Sequence, residues 1–183
     1  MKSIQGQFLV ASRSLKDLNF YQTIVLMIQH NDEGALGLVL NRPTDSGIAE
    51  VWEMLSEEPC KEGDAIYLGG PVPGPLIALH DHPDLGDGLG VIDGVYMATE
   101  REQLNRLVNS RPKNMRLFSG YSGWAGGQLE QEIEMGGWLT ATATRTQIFS
   151  EDSTLWSRVT ERISLNVLGE DLRRRMPDDP SLN

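Results

Sequence analysis

Short apolar stretches separated by polar turns fill the first 45 residues of the chain. Gly6–Ala11 and Tyr21–His30 have the length and composition typical of strands, the second being rich in Ile, Val and Thr. Asn31–Gly34 has the composition of a turn and Ala35–Leu40 is apolar again, so the pattern predicts a β-hairpin whose turn is longer than two residues. Pro43 is predicted to end the hairpin, because it lacks a backbone N–H and restricts the residue before it.

Two segments in the middle of the chain place apolar residues at helical spacing. The first is Ile48–Leu55, with Asp45 or Ser46 as the predicted N-cap. The second begins with a capping box formed by Thr99 and Glu102. Its predicted buried positions are Leu104, Leu107 and Val108.

A longer helix is predicted near the end of the chain. An apolar residue recurs there every four positions, at Leu155, Val159, Ile163 and Val167. Gly169 is the predicted C′ residue, at which the helix would end. Residues 176–183 are predicted to form a disordered tail, so residues 1–175 would make up one domain.

The remaining apolar runs predict further strands. They are Ala65–Leu68, Leu76–His80 and Trp138–Thr144, and between them lies a glycine- and aspartate-rich loop, Asp81–Gly94, with a short strand at Leu89–Ile92. Strands outnumber helices, and the two do not alternate regularly. The sequence therefore predicts an α+β fold built on a mainly antiparallel or mixed sheet.

Composition narrows the range of functions. The 183 residues carry a formal net charge of −10, which disfavours direct binding to nucleic acid, since phosphate contacts depend on Lys and Arg. The apolar runs are far shorter than the roughly 20 residues of a membrane span. The N-terminus lacks a signal-peptide pattern, and Cys60 is the only cysteine, so we expect a cytoplasmic protein without a disulfide.

The segment Gly120–Gly127 contains four glycines together with Tyr121 and Trp124. It follows an apolar strand and precedes an acidic helix, the position of many phosphate-binding turns. Its spacing matches no phosphate-binding motif, and the glutamates that follow would repel phosphate, so a structural loop is favoured. Ser122 lies in an imperfect nucleophile-elbow pattern with no histidine after it, which disfavours a serine hydrolase.

Other titratable residues offer weaker candidates. His80 and His82 lie two positions apart and would need His30 or an aspartate to complete a metal site, so we expect no metal and no cofactor. Glu130 and Glu134 share a helix face, with Glu132 elsewhere, and a solvated helix surface is the favoured interpretation.

Several segments together resemble the AlgH/YqgE family of small bacterial cytoplasmic proteins. The matching segments are GQFLVAS at 6–12, Phe20–His30, GALGLVLNRP at 34–43, LGGPV at 68–72 and Arg116–Ile133, together with Trp138 and Phe149. The resemblance implies a bent, partly split sheet with a barrel-like form and flanking helices. It supplies no catalytic residue or cofactor, and it implies a regulatory role in exopolysaccharide gene expression without a DNA-binding mechanism. The family pattern has Pro at Arg13 and Ala at Ser122.

Our leading hypothesis is a non-enzymatic binding or regulatory protein that acts indirectly on gene expression, as a monomer or homodimer, through a protein or small-molecule partner. Its site would form where the tips of three polar or glycine-rich segments meet. Tyr121 and Trp124 would be its contact aromatics. The full set of candidates is Asn41, Arg42, Gly69, Gly70, Tyr121, Trp124, Gln128 and Glu130.

The alternative hypothesis is an enzyme of unknown class that acts on a small molecule. In it, Glu130, Arg42 and either His80 or His82 would converge in a pocket near Gly120–Gln128. A buried carboxylate with a displaced pKa beside a cavity would favour this alternative.

Overall fold

The computed structural model describes residues 2–47, 65–85, 90–110, 112–151 and 153–175. Within these ranges the strands are β1 (Gln7–Ala11), β2 (Ile24–Asn31), β3 (Gly34–Val39), β4 (Pro43–Gly47), β5 (Ala65–Leu68), β6 (Val72–His80), β7 (Gly90–Ile92), β8 (Val95–Ala98), β9 (Met115–Ala125) and β10 (Trp138–Thr142). The helices are α1 (Arg101–Ser110), α2 (Gln128–Glu134), α3 (Arg145–Ile148) and α4 (Leu155–Arg175), and Pro83–Leu85 forms a 3₁₀ turn. The predicted helix at Ile48–Leu55 and the predicted tail at 176–183 lie outside the described residues.

All the described strands belong to one curled sheet, whose main path runs β10-β1-β2-β3-β9-β6-β8-β7. The long strand β9 belongs to both halves of this sheet. On one edge, its second half pairs antiparallel with β3 and its first half pairs parallel with β5. On its other edge it pairs antiparallel with β6. The fold is therefore α+β with a bent, mainly antiparallel sheet that forms a half-barrel. The sequence pattern predicted the α+β class and the sheet type, and the family resemblance implied the bent, barrel-like form.

The chain crosses over β9 at Gly69 and Gly70. A Cβ atom on Gly69 would lie 2.3 Å from the carbonyl oxygen of Gly120, so only glycine permits this approach. Gly120 itself has φ +71°, an angle that interrupts the strand locally. The prediction of a loop over Gly120–Gly127 was wrong for its first part, because β9 continues to Ala125. Glycines on both segments thus allow the chain to pass over β9 at close range.

The early hairpin is confirmed, but its turn is shorter than predicted. Asn31 pairs with Gly34, so only Asp32 and Glu33 connect the strands. Pro43 does not end the extended chain; it begins β4, a strand that pairs only with β5 among the described strands and thus tolerates the missing N–H. The predicted N-cap residues at positions 45 and 46 accordingly lie within a strand.

Both faces of the sheet bury apolar side chains. Along β1, Phe8 and Val10 belong to the cluster that includes α4, whereas Leu9 and Ala11 belong to the cluster that includes α2. This alternation follows from the two-residue period of a strand. A third cluster packs α1 against β6 and β9 through the three predicted positions Leu104, Leu107 and Val108.

Helix α4 packs on the sheet through its first half. Leu155 and Val159 are buried, whereas Val167 is 54 % exposed. The helix continues through Gly169 to Arg175, so the predicted end at Gly169 was wrong. The cost of a mid-helix glycine, about 1 kcal/mol relative to alanine, is small enough for the surrounding helix-forming residues to outweigh.

An ion pair ties the end of β6 to α3. The Asp81 carboxylate accepts a hydrogen bond from Asn114 Nδ2 at 2.7 Å and another from Arg145. Burial alone would raise the pKa of Asp81, but the bonds from Asn114 and Arg145 and the charge of Arg145 outweigh it. The pKa of Asp81 therefore lies below its usual value.

Candidate ligand-binding cavity

Asn41 and Arg42 follow β3 and stabilise the turn that enters β2. The Asn41 side chain accepts a hydrogen bond from the Ile24 N–H at 3.0 Å and donates one to the Gln22 carbonyl at 2.8 Å. Arg42 donates to the carbonyl of Tyr21. Gln22 has φ +55°, a left-handed conformation that costs a residue with a Cβ about 1–2 kcal/mol. The two side chains thus hold a strained turn in place.

Arg116 lies in β9 and is only 6 % exposed. Its Nη1 donates to the Leu40 carbonyl at 2.9 Å and its Nη2 donates to the Ser150 carbonyl. Its guanidinium lies over the Tyr67 ring, 4.4 Å from the centroid, a favourable cation–π arrangement. Within the described residues no carboxylate forms an ion pair with Arg116. This buried cation is held by backbone carbonyls and an aromatic face.

The electrostatics of Arg116 agree with this environment. Burial lowers the pKa of Arg116, and the neighbouring Tyr67 and Glu151 side chains partly oppose that effect. An arginine side chain stays protonated in proteins. A buried positive charge is therefore present beside Tyr67, where its interaction with an anion is stronger than in water.

A cavity of about 220 Å³ opens beside Arg116. Its residues come from the β3–β4 connection, β5, β9 and the start of α4, which are far apart in sequence but meet at this point. The lining consists of Gln22, Leu40, Asn41, Arg42, Pro43, Tyr67, Arg116, Ser150, Glu151, Ser153, Leu155, Trp156 and Ser157. The site combines two arginine side chains with three buried apolar side chains, Leu40, Leu155 and Trp156.

Trp156 forms part of the cavity wall and is fixed in position. Its Nε1 donates to the Ala11 carbonyl at 2.8 Å, and the residue is 9 % exposed. The bond satisfies the polar end of the indole, so the rest of the ring provides a rigid apolar surface.

The eight predicted site residues do not form one site. Asn41 and Arg42 line the cavity. Gly69 and Gly70 lie at the strand crossing, where a Cβ on Gly70 would lie 2.3 Å from the Tyr121 backbone, so they serve close packing. Tyr121 is half-buried and packs over Gly74, whose added Cβ would lie 2.9 Å from the tyrosine ring.

The proposed role of Trp124 as an exposed contact residue was wrong, because it is 6 % exposed and belongs to the core. Its ring stacks on Phe20 at 5.8 Å and meets Trp138 edge-on at 6.0 Å. Gln128 is also structural in this arrangement: its Oε1 accepts from the Ala125 N–H and its Nε2 donates to Glu132. Tyr121 and Trp124 were predicted to lie at the tip of a loop, but both belong to strand β9.

Glu130 is not simply solvated; it pairs with His30. The His30 Nδ1 accepts from the Ile4 N–H at 3.2 Å, so the proton lies on Nε2, which donates to Glu130 at 2.9 Å. The hydrogen bond from its own backbone N–H, together with His30, outweighs burial and lowers the pKa of Glu130. This depressed pKa suits a permanently ionised partner rather than a general acid.

The convergence required by the enzyme hypothesis is absent. His30, the partner of Glu130, pairs with Ala35 at the turn end of the hairpin, whereas Arg42 follows the opposite end of β3. His80 is fully buried at the end of β6, stacked on Tyr96, and its Nδ1 accepts from the His82 N–H. These residues were expected to meet because they lie near turns in the sequence, but the fold does not bring their side chains together.

Sequence reasoning missed Arg116, Tyr67 and the residues that precede and begin α4. One signal was available for Arg116: it is a lone cation beside the apolar run Leu117–Phe118, in the apolar strand predicted before Gly120. A charge in such a position requires hydrogen-bond partners. Nothing in the local pattern identified Tyr67 or Trp156 as its neighbours.

None of the helices within the described ranges combines the length and the apolar composition that a membrane span requires. The same ranges contain no group of three His, Cys, Asp or Glu side chains arranged to hold a metal ion.

The sequence model of the AlgH-like family matches residues 8–168. The chain belongs to the AlgH-like family. A relative from Chlorobium limicola, named UPF0301 protein, is 38 % identical over 97 % of this chain and 95 % of its own. A UPF0301 protein of Parabacteroides distasonis is 35 % identical, covering 98 % of this chain and 91 % of the relative.

Solved structures agree with this assignment. The solution structure of the AlgH protein from Pseudomonas aeruginosa matches this AlgH-like chain with a TM-score of 0.73 and 29 % identity, covering 98 % of each chain. A crystal structure of a Corynebacterium diphtheriae protein matches with a TM-score of 0.71 and 25 % identity, covering 88 % of each. The residues that line the cavity all lie within the matched part of this AlgH-like chain.

Proposed function

We propose that this protein is a cytoplasmic, non-enzymatic ligand-binding protein with a regulatory role, and that the cavity beside Arg116 is its binding site. The observation that carries the proposal is the buried Arg116 guanidinium in the cavity wall. It has five N–H donors, of which two have protein acceptors within the described residues. Burying a charge is costly unless it is paired, so a bound group that accepts the remaining hydrogen bonds would stabilise the site.

The construction of the cavity supports a binding role. Its walls are fixed by hydrogen bonds that involve Asn41, Arg42 and Trp156, so the site is formed before a ligand arrives. A preformed site binds with a smaller loss of conformational entropy. Its lining combines the apolar side chains of Leu40, Leu155 and Trp156 with polar and charged groups that can orient a ligand.

The regulatory part of the proposal is indirect. A net charge of −10 disfavours contact with DNA, so an effect on gene expression would pass through a protein or small-molecule partner. Ligand occupancy can change the stability of the elements that meet at the cavity, because a ligand stabilises whichever state binds it. No catalytic step is required for this role.

The test is a thermal-unfolding screen of purified protein against a panel of small metabolites. Ser157 lines the cavity and is exposed, so Ser157→Trp should obstruct the site without removing a core residue. Ser164→Trp, on an exposed position of the same helix outside the cavity lining, is the matched control. We expect compounds that raise the unfolding temperature of the wild type and of Ser164→Trp but not of Ser157→Trp. A panel with no stabilising compound, or with equal stabilisation of both variants, would contradict the proposal.

A further inference from the structure

We infer that the ligand of this cavity is a small organic monocarboxylate with an apolar body. The inference rests on the proposed function and specifies the chemistry of its ligand. Three features of the site lead to it independently: the balance of charge, the geometry of the donors, and the size and character of the walls.

The charge balance favours a single negative charge. Among the described residues of the lining, Arg42 and Arg116 contribute two positive charges and Glu151 contributes one negative charge, which leaves one positive charge. A carboxylate carries one negative charge at pH 7, whereas a phosphate monoester carries about 1.5 to 2. A monocarboxylate therefore balances the charge of these described residues, and a phosphate monoester would leave excess negative charge next to Glu151.

The donor geometry favours a carboxylate as well. A guanidinium presents parallel N–H groups that match the two oxygens of a carboxylate. The carbonyls of Leu40 and Ser150 and the Tyr67 ring fix the plane of the Arg116 guanidinium. Nη1 and Nη2 each donate to one of these carbonyls, so the remaining N–H groups of Arg116 are held in a fixed orientation. A fixed donor binds an anion with a smaller loss of its own conformational freedom.

Part of the remaining wall is apolar, and the space is small. Leu40, Leu155 and Trp156 are buried side chains of the lining, each at most 9 % exposed. The volume of about 220 Å³ corresponds to roughly seven water molecules at about 30 Å³ each. Sites for drug-sized ligands occupy roughly 300–1,000 Å³, so a nucleotide would not fit inside. A short aliphatic or single-ring acid would fill the cavity with its apolar part against these walls.

The experiment compares three probes that share one ring: benzoate, benzamide and phenyl phosphate. Their dissociation constants are measured by NMR titration of the full-length protein. Benzamide is the neutral isostere of benzoate, so the ratio of the two constants reports the contribution of charge. We expect benzoate to bind at least tenfold more tightly than benzamide, since a hydrogen bond between two charged groups is stronger than one to a neutral amide. Phenyl phosphate should bind more weakly than benzoate.

Two substitutions assign the effect to the cavity. Arg116→Lys keeps the charge but loses the planar fork, and should weaken benzoate binding at least tenfold. Glu151→Gln removes an exposed carboxylate of the lining, and should tighten benzoate severalfold and phenyl phosphate by a larger factor. Glu134 is exposed on α2 and lies outside this lining. Glu134→Gln is therefore the charge-matched control, and it should change the affinity for neither benzoate nor phenyl phosphate. If Arg116→Lys does not fold, the effect of Glu151→Gln on the binding of benzoate and phenyl phosphate still tests the carboxylate inference.

The outcomes separate the two proposals. Equal affinity for benzoate and benzamide, or no response to Glu151→Gln, would overturn the carboxylate inference. Tighter binding of phenyl phosphate than of benzoate by the wild type would also overturn the carboxylate inference. If Ser157→Trp then no longer binds phenyl phosphate, the cavity is still the binding site and the proposed function stands. Failure of all three probes, with a metabolite panel in which nothing distinguishes Ser157→Trp from Ser164→Trp, would overturn both.

Discussion

Replacing Glu132 by alanine should destabilise the fold by several kcal/mol, because one carboxylate oxygen serves two buried indoles. Glu132 Oε2 accepts from Trp124 Nε1 at 3.1 Å and from Trp138 Nε1 at 2.8 Å. The two tryptophans are 6 % and 2 % exposed. A buried donor that loses its partner costs about 1–3 kcal/mol, so removal of the carboxylate should lower the free energy of unfolding by about 2–6 kcal/mol.

Urea unfolding followed by tryptophan fluorescence and circular dichroism measures this change. Glu132→Gln keeps an oxygen acceptor but loses the charge, so its loss of stability should fall between those of wild type and Glu132→Ala. Glu134→Ala removes an exposed carboxylate from the same helix and should change the free energy by no more than about 0.5 kcal/mol. A loss below about 1 kcal/mol for Glu132→Ala would refute the argument, since the indoles would then have another acceptor.

Three further predictions follow from the geometry. Gln22→Gly should raise the free energy of unfolding, measured in urea, by about 0.5–1 kcal/mol. The reason is that the backbone strain of a glutamine at φ +55° is larger than the extra conformational entropy that a glycine loses on folding. A decrease would contradict this. Gly69→Ala should unfold the protein or reduce its soluble yield severely, since its Cβ would lie 2.3 Å from a backbone oxygen, whereas Gly90→Ala, with nothing within 4 Å, should fold normally. The depressed pKa of Asp81 means that its ionised form stabilises the fold above its unfolded pKa, about 3.9. That stabilisation is lost as pH falls through the lower folded pKa, so the stability difference between wild type and Arg145→Met should narrow below pH 4 and stay constant from pH 5 to 7.

Local patterns predicted the strands and the packed faces of the helices well. The hairpin of β2 and β3, the buried positions of α1 and the α+β class all followed from periodicity and turn composition. Errors arose where tertiary contacts decide local structure. Gly120 and the residues that follow it were predicted to form a loop because glycine is common in loops. In the structure, glycine at this position instead allows Gly69 to pass over β9 at close range.

The candidate site was predictable only in part. Asn41 and Arg42 stood out because polar residues before a proline, at the end of an apolar run, do not belong to the core. Tyr121 and Trp124 were chosen by type, but residue type does not reveal exposure, and Trp124 is buried beside Phe20 and Trp138. The same limit applied to Glu130, whose partner His30 lies 100 positions away.

The sequence by itself determined the family, the α+β class, the net negative charge and two of the residues that line the cavity, Asn41 and Arg42. The tertiary structure decided which distant residues join them: Tyr67 from β5, Arg116 from β9 and Trp156 from α4. Periodicity records which face of an element is buried, because burial repeats with the backbone geometry. It does not record which elements meet, because that depends on strand order and on the crossing over β9, which are set by long-range packing.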